Sequence, residues 1–176
     1  MPPELDRPVV IIGPMGAGKT SVGKRVAKAL GATFIDTDKA IVREHGPIPR
    51  LFETLGEPAF REIERDAVAA ALRSPAVVSL GGGAVLDDST RDRLGGHRVV
   101  LLTVTPEAVE SRISGSDRPL LHHDGIAAWK AIAAERAPIY AALADITLDT
   151  SHRPLSHVVD DIVSWVRTAG PQKEDS

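Results

Sequence analysis

Short runs of β-branched and other apolar residues alternate along the chain with longer stretches whose apolar positions recur every three or four residues. This is the pattern of βαβ units around a parallel sheet. VVII (Val9 to Ile12), TFID (Thr33 to Asp36), AVVSL (Ala76 to Leu80), RVVLLTV (Arg98 to Val104) and ITLD (Ile146 to Asp149) predict five strands. Helical periodicity covers roughly Lys19 to Leu30, Pro58 to Leu72, Pro106 to Ile113, Ile126 to Ala144 and Leu155 to Val166, with a shorter helix expected at Lys39 to His45. The expected fold class is therefore α/β, a three-layer sandwich with a five-stranded parallel sheet. No repeat or linker interrupts it, so a single domain over residues 1–176 is expected, ending in a polar, Pro-containing tail at about 169–176 with the composition of a disordered end.

Composition narrows the chemistry. A chain of 176 residues suits one sizeable core, and the absence of cysteine removes disulfides, thiolate metal sites and a catalytic thiol, with the cytoplasm as the expected compartment. Charges at Glu4, Asp6 and Arg7, followed by only four apolar residues before Gly13, fit neither a signal peptide nor a membrane span. A net charge of -3 with 3% aromatic residues argues against a nucleic-acid partner. The expected partner is a small charged molecule and the expected state a monomer.

GPMGAGKT, Gly13 to Thr20, matches G-x-x-x-x-G-K-[ST] and sits between a predicted strand and a predicted helix, the context that motif requires. Gly13, Gly16, Ala17 and Gly18 form a loop whose backbone N–H groups can turn toward phosphate oxygens, and the following helix adds its positive dipole end. Lys19 can reach the β- and γ-phosphates. Thr20 offers a hydroxyl to a magnesium ion bridging them. The loop identifies a nucleoside triphosphate site without naming the acceptor.

FIDTD, Phe34 to Asp38, brings two carboxylates to the end of the second predicted strand. Parallel strands deliver their C-terminal residues to the ligand crevice, so Asp36 and Asp38 are expected near the γ-phosphate and its metal. One carboxylate can serve magnesium, and the other can accept a hydroxyl proton. Alternatively, Asp38 caps the short helix and Asp36 is solvated.

GPMGAGKT, DTD, FREIE, GGGAV, DRPLL and ERAPIY, in that order, resemble the shikimate kinase family over Val9 to about Val166. The resemblance implies transfer of the ATP γ-phosphoryl group to the 3-hydroxyl of shikimate, a step toward chorismate and the aromatic amino acids. It further implies a nucleoside-monophosphate-kinase-like fold with mobile substrate and lid segments. By position, Asp38 resembles the acid that holds the acceptor hydroxyl and Asp36 the acid linked to magnesium. Arg61 and Arg136 resemble the arginines that bind the shikimate carboxylate, and Gly81, Gly82 and Gly83 the loop on the shikimate side. Arg112, Arg153 and Pro154 stand where the family flanks adenine.

The same residues also have readings of their own. Glu64 follows Arg61 by three positions, close enough to hold its guanidinium, and Phe60, Ile63 and Ala67 mark one apolar face. Arg136 alone would pass for an exposed helical residue near a kink at Pro138. Three consecutive glycines exceed what a simple turn needs and let a ligand approach the backbone. SGSDRPLLHHDG lies in a lid expected at about 114–125, where Arg118, aimed by Pro119, would stabilise the charge of the transferred phosphoryl group. His122 and His123 are solvated lid residues, because adjacent side chains point apart. Two other readings remain open at this point: a different small-polyol kinase resembling gluconate kinase, or a non-catalytic nucleotide-binding module.

Overall fold

A computed structural model describes residues 5–113 and 125–168. The lid expected at 114–125, with Arg118, His122 and His123, therefore lies outside the described residues except for Gly125, and so does the tail at 169–176.

All five predicted strands are present: β1 (Val9–Ile12), β2 (Phe34–Asp36), β3 (Val77–Ser79), β4 (Arg98–Thr103) and β5 (Ile146–Asp149). They form one parallel sheet in the order β2-β3-β1-β4-β5. A parallel sheet keeps both faces covered, and the alternation of side chains divides the core accordingly. Val9 and Ile11 of β1, with Val100 and Leu102 of β4, pack on one face with α1 (Lys19–Ala29) and α8 (Leu155–Thr168). Val10, Ile12, Val99 and Leu101 pack on the other with α4 (Glu57–Ala71), α5 (Asp88–Leu94) and Tyr140 of α7 (Gly125–Leu143). A third, smaller cluster of Ile41, Leu51 and Phe60 joins α2 (Thr37–His45), α3 (Ile48–Leu55) and α4 beside the sheet. The remaining helix, α6 (Pro106–Ile113), follows β4. Among the described residues no helix is long and apolar enough to cross a membrane.

Three features depart from the sequence pattern. Helices α3 and α5 and a single 3-10 turn at Ala84–Leu86 were expected as loop. IPRLFETL lies between Gly46 and Gly56 with proline in its first turn, so punctuation hides a short helix that Pro49 in fact helps to start. DSTRDRL buries only Thr90 and Leu94, too few apolar positions to show a period. By contrast, α7 runs on through Pro138 to Leu143, in agreement with the predicted span of Ile126 to Ala144.

Strand order places β1 between β3 and β4, while the chain leaves β1 for the edge strand β2. That reversal opens a crevice at the C-terminal ends of the strands. Gly13, Asp36 and Gly81 all lie at this end.

Candidate active site

The phosphate loop follows β1 directly. Gly13 has a φ of 147°, and a Cβ there would run into the Leu102 carbonyl. Gly18, in the left-handed region at φ 94°, caps α1 without any side-chain hydrogen bond, and the first turn of α1 holds no acidic residue. The helix therefore presents its first N–H groups and its positive end to whatever fills the loop. The Lys19 ammonium donates to the carbonyls of Gly13 at 2.7 Å and Pro14 at 3.1 Å, which folds its side chain back over the loop.

Each residue of Asp36-Thr37-Asp38 has a different task. The Thr20 hydroxyl donates to Asp36 Oδ2 at 3.2 Å, while Asp36 Oδ1 accepts from the Lys39 N–H at 3.1 Å and so caps α2. The cap considered for Asp38 thus belongs to Asp36, because α2 starts at Thr37, two residues before the Lys39 start that the alternative requires. Thr37 is fully buried; its hydroxyl donates to the Ser79 carbonyl and accepts from the Gly81 N–H, tying the end of β2 to that of β3. With Thr37 turned inward, Asp38 in the first turn of α2 faces the crevice. Burial and then repulsion from Asp36 raise the Asp38 pKa above the ordinary carboxylate range, against the opposing pull of Lys19 and Arg61. An acid so placed accepts a proton more readily than a solvated aspartate.

Gly81, Gly82 and Gly83 each face a different charged side chain. A Cβ on Gly81 would lie 2.5 Å from Asp38 Oδ1, one on Gly82 3.2 Å from Arg136 Nη1, and one on Gly83 2.7 Å from both Nη atoms of Arg61. The glycine run is thus the floor on which one acid and two guanidiniums converge. Arg61 is fixed by Glu64, and its guanidinium carbon stands 5.9 Å from the Phe52 ring centroid and 5.5 Å from that of Phe60. The Glu64 pKa is raised by burial, with Arg61 pulling it down. Tyr140, one helical turn beyond Arg136, donates to the Gly82 carbonyl at 2.6 Å.

On the other side of the loop, Arg112 donates to the Gly16 carbonyl at 2.7 Å and to Thr150, whose hydroxyl in turn donates to the Ala17 carbonyl at 2.8 Å. Arg153 pairs with Asp161 at 2.8 Å. The Pro154 carbonyl accepts from the His157 N–H, and the following Leu155 lies against Gly18. Arg112, Pro154 and Leu155 thus border the phosphate loop, while the Arg153 guanidinium is turned along α8.

The structure brings Lys19, Thr20, Asp36, Asp38, Arg61, Arg136 and the three glycines into one crevice. Sequence reasoning missed Thr37, Phe52, Tyr140 and Thr150. Of these only Phe52 carried a local signal, as the one aromatic in an apolar run that the glycines and prolines around it obscured.

The Thr20–Asp36 pair offers one hydroxyl and one carboxylate beside the loop, and among the described residues no group of three or more His, Cys, Asp or Glu could hold a metal alone. Such a donor set suits a hard cation that draws its remaining ligands from phosphates and water.

Comparison with known proteins gives a consistent result. The shikimate kinase family model matches residues 15–167. The shikimate kinase of Thermobifida fusca is 44% identical over 164 residues, 92% of this chain and 95% of that one. The shikimate kinase of Mycobacterium avium is 45% identical over 159 residues, 88% of this chain and 90% of that one. Among solved structures, shikimate kinase from Acinetobacter baumannii in complex with shikimate superimposes with a TM-score of 0.85 at 30% identity, covering 96% of this chain and 97% of that one.

Proposed function

This chain belongs to the shikimate kinase family, and on that premise we propose that it transfers the γ-phosphoryl group of ATP to the 3-hydroxyl of shikimate, giving shikimate 3-phosphate and ADP. The observation that carries this reading is the convergence of Asp38, Arg136 and Arg61 on Gly81, Gly82 and Gly83, because an acceptor bearing both a carboxylate and a hydroxyl needs cations and an acid on one surface.

Arg61 and Arg136 bind the shikimate carboxylate, for which a planar guanidinium supplies two parallel hydrogen bonds. Asp38 orients the acceptor hydroxyl and takes its proton as the bond to phosphorus forms. Lys19 and the loop N–H groups hold the β- and γ-phosphates. Arg118 adds positive charge to the transferred group, and Arg112, Arg153 and Pro154 flank the adenine. The transition state of phosphoryl transfer is loose, so these residues act by positioning and charge neutralisation, without a covalent enzyme intermediate. A magnesium ion fits the Thr20–Asp36 pair; when bound it would be held by Thr20 and, directly or through water, Asp36, and would neutralise phosphate charge. The proposed setting is the cytoplasm, with the chain acting as one monomeric kinase domain.

A coupled ADP-release assay run with shikimate, with gluconate and with no acceptor tests the assignment. ADP should form only with shikimate. Comparable release with gluconate, or release independent of any acceptor, would exclude it.

A further inference from the structure

We propose that Trp129 is a positioning residue of the nucleotide site. The inference rests on the phosphate loop being that site. Between Gly13 and Ala17 every carbonyl has a partner on this chain. Lys19 holds Gly13 and Pro14, Arg112 holds Gly16 and Thr150 holds Ala17. The remaining carbonyl, that of Met15 at the exposed tip of the loop, accepts from the Trp129 indole N–H at 2.8 Å across 114 positions of sequence. Trp129 is 8% exposed and packed in the core cluster that also holds α1 and α8, so its indole cannot follow the loop if the loop turns.

Peptide geometry converts that contact into a role. The Met15 carbonyl and the Gly16 N–H belong to one trans peptide plane and point in opposite directions. Holding the carbonyl on the indole therefore turns the Gly16 N–H away from the indole. This plane needs restraint, because Gly16 sits at φ 84° and, lacking a Cβ, has backbone alternatives that non-glycine residues do not. Without the indole, the loop would have to order this peptide when phosphate arrives, and the cost would appear in nucleotide affinity. The acceptor side, on Gly81 to Gly83, shares no hydrogen bond with Trp129 and should not respond.

The test uses the full chain with ADP as the probe. Trp129→Phe keeps a buried ring and removes only the N–H. Calorimetric titration should show ADP binding weakened about three- to tenfold, the worth of one neutral hydrogen bond, with shikimate affinity and kcat at saturating ATP within about twofold of wild type. In Trp165→Phe the one remaining indole N–H is that of Trp129. Its resonance in a 15N-labelled sample should move on addition of ADP and stay in place with shikimate alone. Unchanged ADP affinity in Trp129→Phe, or an indole resonance insensitive to ADP, overturns the proposal. If Trp129→Phe does not fold, the resonance decides alone. A wild-type chain that binds no ADP would instead overturn the nucleotide reading and this inference with it.

Discussion

Arg61 Nη1 lies 2.7 Å from Glu64 Oε1, one helical turn away on α4, and Glu64 is only 3% exposed. A guanidinium held by a buried acid has lost its rotamer freedom before any ligand arrives. Arg61→Ala should raise the shikimate KM roughly ten- to a hundredfold, as expected for a charged hydrogen-bonded pair, with ATP KM nearly unchanged. Arg61→Lys should recover little, since an ammonium lacks the two-pronged geometry. Glu64→Gln should give a smaller rise, about three- to tenfold, because the arginine stays but loses its orientation. Initial rates over a shikimate series measure all three, and a normal KM in Arg61→Ala removes that residue from the site.

Asp36 and Asp38 should separate by metal dependence. Asp36→Asn should raise the magnesium concentration needed for half-maximal rate, while Asp38→Asn should lower kcat by about two to four powers of ten and leave ATP binding intact. Because the Asp38 pKa is raised, protonation disables the wild-type base at a pH above the usual aspartate range, and the acid limb of kcat should vanish from the residual activity of Asp38→Asn. A raised acid pKa also means that ionisation opposes folding at neutral pH, so Asp38→Asn should melt at a higher temperature than wild type. Identical metal dependence in the two variants would sink the division of labour.

The glycine floor predicts losses of function without losses of fold. None of the three glycines has a positive φ, and the atom nearest to an added methyl is in each case the end of a side chain. Gly83→Ala should displace Arg61 and raise the shikimate KM. Gly81→Ala should displace Asp38 and lower kcat. Gly81→Ala should keep a wild-type melting temperature, a cooperative drop there meaning that the backbone had moved, whereas Gly83→Ala should melt somewhat lower because displacing Arg61 takes the partner from buried Glu64.

Acid sensitivity should trace to Asp87, which caps α5 and pairs with Arg65. Hydrogen bonds from Arg65, at 2.6 and 2.9 Å, outweigh its partial burial and, with the Thr90 N–H that it caps, lower its pKa to about 2. A lowered carboxylate pKa contributes stability above its unfolded value near 3.8, and that contribution is lost as pH falls toward about 2. Asp87→Ala should cost about 1 kcal/mol at pH 7, mostly from the lost cap, since Arg65 is over a third exposed and its pairing is weakened by solvent. Denaturation at pH 7 and again near pH 2.5 should show the gap to wild type shrinking.

The phosphate loop, the paired aspartates and all five strands were legible because each is local: a motif between a strand and a helix, or an apolar run bounded by polar turns. Glu64 was legible as a partner of Arg61 for the same reason, being on the same helix. Thr37, Tyr140 and Trp129 were not. Their partners are Ser79 and Gly81, Gly82, and Met15, between 42 and 114 positions away, and only the folded sheet brings these together. The glycine run was legible as unusual, but its cause, three charged side chains pressed against three missing methyl groups, belongs to packing.

The small cluster of Ile41, Leu51 and Phe60 gives the molecule an uneven resistance to opening. Segments α2 and α3 rest on these three buried side chains, whereas β1 and β4 sit between two extensive layers. Cooperative openings of low free energy arise where few apolar contacts must break, so backbone amides of α2 and α3 should exchange with deuterium well before those of β1 and β4. These helices bear Asp38 and Phe52, so occupancy of the acceptor site should slow their exchange selectively. The proposed acceptor side should thus loosen on its small foundation while the proposed nucleotide side, carried by β1 and α1, stays closed.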